Sequence, residues 1–151
     1  MPQLGVWLRR QHVARWWGDP DHALAAIREH SPTTQALIAV DDRPVGYLCW
    51  QKPEPEELAA AGLNGLPADL IDVDILIGEP DLIGLGVGPR ALSLLLERLR
   101  AEGVSSVGMA TAADNRIALR AYEKVGFQRF QVFHEAGQEM CYLVRTLEPA
   151  G

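Results

Sequence analysis

Two stretches of this chain combine residue types and spacings that suit chemistry. In Ile83-Gly84-Leu85-Gly86-Val87-Gly88-Pro89-Arg90, three glycines alternate just before a leucine-rich run from Ala91 to Arg100. Lacking Cβ, such a loop bends tightly and brings its N–H groups close to a ligand. Pro89 suits the first turn of a helix, where a missing N–H costs nothing. A helix start of this kind presents unpaired donors and a positive dipole end, which favours a phosphate. The same spacing also serves a plain strand-to-helix turn. No Lys-Ser or Lys-Thr follows the last glycine, and the pattern closes one residue short of the dinucleotide fingerprint.

The second stretch is Leu70 to Ile77, an apolar strand interrupted by Asp72 and Asp74. Residues two apart on a strand share a face, so both carboxylates point one way while Val73, Ile75 and Ile77 point the other. Carboxylates on an apolar strand need water, hydrogen bonds or a cationic partner. No other grouping competes. The histidines lie far apart, and Cys49 and Cys141 lack metal-ligand spacing, which reads as two reduced core cysteines in a cytoplasmic protein and no metal.

The surrounding elements must position these residues. Leu4 to Trp17 reads as one helix, with Leu4, Trp7 and Leu8 on an apolar side. Asp19 or Asp21 caps a second helix ending near His30. Gln35–Val40 and Val45–Gln51 form a hairpin through Asp41-Asp42-Arg43-Pro44. Lys52 to Ala68, rich in proline, glycine and glutamate, reads as a long functional loop with a helical turn near Glu56–Ala61. After the acid strand come the glycine loop and its helix, which buries Leu92, Leu95, Leu96 and Leu99 and stops at Gly103. A strand at Val104–Ala110 follows, then a helix from Asp114 or Asn115 to Val125, ended by Gly126. Strands Phe127–His134 and Glu139–Thr146 complete an α/β (α+β) domain with a mixed central sheet, taken as a single domain over 1–151.

Charge narrows the partner. Residues 41–81 hold ten acids against Arg43 and Lys52, while the whole chain is at −6. That asymmetry argues against nucleic acid and favours a cationic partner. No apolar run reaches membrane-spanning length, so no membrane association is expected. Glu54, Glu56, Glu57 and Asp69 on the long loop stand ready to line a cationic site or simply to solvate it. Trp16, Trp17 and Trp50 serve as core, groove walls or stacking surfaces.

Asn115-Arg116-Ile117-Ala118-Leu119-Arg120-Ala121-Tyr122-Glu123-Lys124-Val125-Gly126-Phe127 resembles the last motif of the GNAT superfamily of acyl-CoA N-acyltransferases. It lies one strand after a glycine loop that itself resembles that family's pyrophosphate loop. Trp7-Leu8, Arg15-Trp16-Trp17-Gly18 and Ile71-Asp72-Val73-Asp74 add a likeness to aminoglycoside 6'-N-acetyltransferases. The resemblance implies acetyl-CoA as co-substrate and a small cationic amine as acceptor, with antibiotic resistance as the biological setting. Leu76, Ile77, Ile83, Gly84, Leu85, Gly86, Val87, Gly88, Arg90, Asn115 and Tyr122 would line the coenzyme A site, its pantetheine lying where two strands splay. An N–H near Leu76 or Ile77 would face the thioester carbonyl. Tyr122 would be the general acid for the leaving thiolate and Asp74 the acid beside the acceptor amine, with Asp72, Trp17, Trp50 and Glu54 also touching the acceptor. Asn115 would cap its helix, reach the pantetheine, or do both.

Three departures mark this chain. Ile83 stands where the family uses Gln or Arg, and Ala110 stands where some aminoglycoside enzymes carry a further acid. Met1-Pro2-Gln3 leaves little room for the family's opening strand, so that strand is expected to be missing or truncated, leaving an edge open for a possible homodimer. The other readings are acylation of a siderophore precursor, a polyamine or a protein amine, and a coenzyme A-binding module without catalysis.

Overall fold

The computed structural model describes residues 2–149. Met1, Ala150, Gly151 and the side chains of Pro2 and Trp16 lie outside that description, and with them the expectation for Trp16. Six strands form one mixed sheet in the order β1-β2-β3-β4-β6-β5, with helices alongside. The elements are α1 (Pro2–Arg9), α2 (Gln11–Trp17), α3 (Pro20–Glu29), β1 (Gln35–Val40), β2 (Arg43–Gln51), α4 (Pro55–Ala60), β3 (Ile71–Ile77), α5 (Val87–Ala101), β4 (Ser106–Ala112), α6 (Arg116–Lys124), β5 (Gln128–Glu135) and β6 (Gln138–Thr146). No strand precedes α1 among the described residues. The chain divides into two compact units, one of residues 1–49 and 75–88, the other of residues 50–74 and 89–151.

In the first unit, Leu4, Trp7, Leu8, Val13, Ala23, Ile27, Tyr47, Cys49 and Leu76 make one buried cluster. The helix expected over Leu4–Trp17 is two. Arg10 breaks it with extended backbone (φ −69°, ψ 139°). Its guanidinium donates to the Gly78 carbonyl at 2.9 Å and to Glu79 at 2.8 Å. Apolar spacing continues through Arg10, so only this distant ion pair marks the break. Asp19 caps α3 as expected, accepting from the His22 N–H. The β1–β2 hairpin turns on Asp41 (φ 50°) and Asp42 (φ 65°), a conformation that asparagine, aspartate and glycine tolerate best.

The second unit is built on antiparallel β4–β6 and β6–β5 ladders, with β3 entering it as the parallel neighbour of β4. Ile71 lies beside Val107 and Asp72 beside Gly108. Leu63, Leu70, Phe133 and Tyr142 form its buried cluster, with Leu58, Ala61 and Leu66 of the long loop packed against it. That loop is therefore anchored rather than merely solvated, and Gln131 donates to the Gly62 carbonyl at 2.7 Å. Leu92, Leu95, Leu96 and Leu99 are the buried face of α5.

Candidate active site

The acid pair sits in the second unit and its two members differ. Asp74 is exposed, whereas Asp72 is half-buried and held at both oxygens. Tyr142 Oη donates to Asp72 Oδ1 at 2.8 Å, and Gln51 Nε2 donates to Oδ2 at 3.0 Å. Burial and then the Asp74 charge push Asp72 up to about 8, Glu135 and Glu57 adding to the rise while the Tyr142 hydrogen bond opposes it. Of the pair, Asp72 is thus the member whose surroundings favour holding a proton.

Tyr122 lies on α6 of the same unit. Asn115 starts that helix, its Oδ1 accepting from the Ala118 N–H at 3.3 Å. Gly126 (φ 101°) ends it. Half-buried Tyr122 meets Phe127 edge to face at 6.5 Å between ring centroids. Burial first, and the Asp74 charge second, push its phenol up to about 12. The hydroxyl therefore stays protonated across any working pH. Such a group gives a proton rather than takes one.

The other expected acceptor contacts in this unit separate in character. Glu54 is exposed at the start of α4 without capping it. Trp50 is 4% exposed, and the Arg98 guanidinium stacks over its ring at 5.1 Å. Its ring is a wall of the protein, partnered by a cation of the chain itself. Arg90 is exposed on α5.

The glycine loop belongs to the first unit. Gly84 (φ 82°) and Gly86 (φ 83°) take left-handed backbone, and a Cβ on either would meet nothing within 4 Å. Ile83 and Leu85 are exposed beside them, at 41% and 68%. The α5 helix begins at Val87, two residues earlier than Pro89 suggests, so Val87 and Gly88 belong to its first turn. Leu76 is buried in the apolar cluster, Ile77 is half-buried with its carbonyl 3.1 Å from His12 Nε2, and Trp17 packs on the cluster's edge. Among the described residues, no group of three or more His, Cys, Asp and Glu is placed to hold a metal ion, and no helix is long and apolar enough to cross a membrane.

Residues 1–134 match the family described as "Acetyltransferase (GNAT) domain". The chain belongs to the GNAT acetyltransferases. It is similar to the aminoglycoside N(6')-acetyltransferase type 1 of Klebsiella pneumoniae, at 24% identity over 97% of this chain and 78% of that one. It is 30% identical to a mycothiol acetyltransferase of Rhodococcus jostii over 85% of this chain, which spans 38% of that longer relative. Its fold matches that of an aminoglycoside acetyltransferase solved with coenzyme A and kanamycin. The TM-score is 0.75 at 22% identity, covering 96% of this chain and 88% of the other. The protein is thus an acetyltransferase of the GNAT kind.

The loop's geometry suits a phosphate-bearing ligand. Left-handed Gly84 and Gly86 have open space around them just before a helix start, the end of a helix that favours a phosphate. The residues least visible in the sequence are Tyr142 and Gln51. Each sits in an ordinary strand pattern, and only the fold brings them to Asp72.

Proposed function

We propose that this acetyltransferase moves the acetyl group of acetyl-CoA to a primary amine of a small cationic acceptor by direct attack. The acceptor best matching the reading is an aminoglycoside-like 6'-amino group. The observation that carries it is Asp74: an exposed carboxylate beside a fixed inner acid, whose field reaches the Tyr122 phenol. Asp74 binds the acceptor ammonium and accepts its proton directly or through water. Asp72, Trp17, Trp50 and Glu54 shape the acceptor side. Gly84 to Gly88, with Ile83 and Arg90, hold the pyrophosphate, while Asn115, Leu76 and Ile77 serve the pantetheine and thioester.

Tyr122 gives its proton to the departing thiolate. At about 12 the phenol is a weak acid for that task. A cation docked at Asp74 cancels the part of the rise that Asp74 causes, so acceptor binding itself strengthens the acid. Occupancy of one site then prepares the other.

Thiol release with acetyl-CoA across a panel of amines tests the reading. Kanamycin-type aminoglycosides should turn over in preference to polyamines, hydroxylated diamines and peptide amines. Release with another amine and none with aminoglycosides would move the acceptor to that class. In the active pair, Tyr122→Phe should lower kcat by about 10²-fold or more, since a positioned acid contributes roughly that much. A coenzyme A-binding module would bind acetyl-CoA and release no thiol with any amine.

A further inference from the structure

Strands lie about 4.8 Å apart, so a residue on β6 normally cannot reach β3 across an intervening β4. Here Tyr142 on β6 does so. It lies opposite Ala110 of β4, one step along the same face from Gly108, and Gly108 is the β4 neighbour of Asp72 on β3. A Cβ at Gly108 would collide with the Tyr142 hydroxyl and ring. With no side chain there, the phenol lies across β4 and its hydroxyl donates to Asp72 at 2.8 Å. The ring is 2% exposed and fixed edge to face on Phe133, at 6.4 Å between centroids. Ala110, also small, keeps the rest of that path clear.

We infer that Tyr142, admitted by Gly108, is a positioning residue that holds Asp72 and sets the pH at which the β3 acid pair carries two negative charges. Gln51 on β2 holds the other oxygen of Asp72, so its carboxylate has one fixed orientation. The charged groups that act on Asp72 are Asp74 on its own strand, Glu57 on α4 and Glu135 on β5, all acidic and all opposing ionisation. The Tyr142 hydroxyl favours the charged form. Its removal leaves only the Gln51 hydrogen bond against burial and three acids, and Asp72 keeps its proton to higher pH. Between the native and the raised midpoint, a cationic acceptor then meets one negative charge where it would have met two.

This rests on the proposed cationic acceptor for its kinetic half and on the chain alone for the other half. The first measurement is a carboxyl ¹³C titration of Asp72, its signal identified by loss in Asp72→Asn. In Tyr142→Phe the midpoint should rise by about one unit or more, the usual worth of a hydrogen bond to a charged group. The acid limb of kcat/KM for the acceptor should rise with it, carried mainly by KM, while the KM for acetyl-CoA stays in place. In an Asp72→Asn background Tyr142→Phe should have no further effect on the profile. Gly108→Ala, which displaces the hydroxyl, should move the midpoint in the same direction.

An unchanged midpoint in Tyr142→Phe overturns the inference. So does a shifted midpoint with an unmoved acid limb, because Tyr142 would then only pack the core. If no amine is turned over at all, the acceptor reading falls, and the Asp72 titration alone decides whether Tyr142 governs the pair.

Discussion

Asp74 and Tyr122 are linked electrostatically. In the proposed reaction the exposed carboxylate attracts the cation and the protonated phenol supplies a proton, and the charge of the first adds to the burial that weakens the second as an acid. The coupling is measurable. In Asp74→Asn the Tyr122 phenol should ionise at lower pH than its native value near 12, seen as a tyrosinate absorbance change absent from Tyr122→Phe. Burial, the larger cause, persists in that variant, so the midpoint should remain above 10. The same substitution should raise the acceptor KM by about tenfold, the order expected of a lost charge-assisted hydrogen bond. Equal ionisation in both proteins would mean that Asp74 does not sense the phenol.

At the scale of elements, the break between α1 and α2 is held by Glu79. Trp7 Nε1 donates to its Oε1 at 2.9 Å, and Arg10 and Arg43 pair with its Oε2 at 2.8 and 3.2 Å. The Trp7 hydrogen bond, followed by Arg10, holds the carboxyl at about 2, below the ordinary 4.5. A carboxyl pKa lowered by folding adds stability above about pH 4.5, and that part is lost as the pH falls towards 2. Glu79→Gln should therefore lower the melting temperature at pH 7, with a cost of about 1–3 kcal/mol for the groups left unpaired. Its melting temperature should also fall less steeply between pH 5 and 3 than that of the native protein. Parallel pH profiles for the two proteins would remove Glu79 from this role. Within the acid-rich segment, Glu79 and Asp81 thus pair with arginines of the chain, while Asp72 is held by Tyr142 and Gln51.

Across the whole molecule, the charge of −6 and the acids of residues 41–81 set a long-range field that would favour the proposed cationic acceptor. Raising ionic strength from about 0.01 to 0.3 M shortens the screening length from roughly 30 Å to below 10 Å. The acceptor KM should rise several-fold over that range, with kcat changing little. A salt-insensitive KM would favour an uncharged acceptor.

Much of this was written locally in the chain. Period-two alternation placed Asp72 and Asp74 on one face, helical spacing gave the buried leucines of α5, and Asp19 and Asn115 announced their helices. Two motifs in order identified the acetyltransferase family, because a pyrophosphate loop and its companion helix are local backbone devices. Tertiary structure decided what local signals cannot encode. The split at Arg10 depends on a glutamate 69 positions away, and the unequal members of the acid pair depend on a tyrosine 70 positions away. Hydrogen bonds and burial between distant segments leave no periodic trace, so only the folded chain shows which carboxylate is held and which faces out.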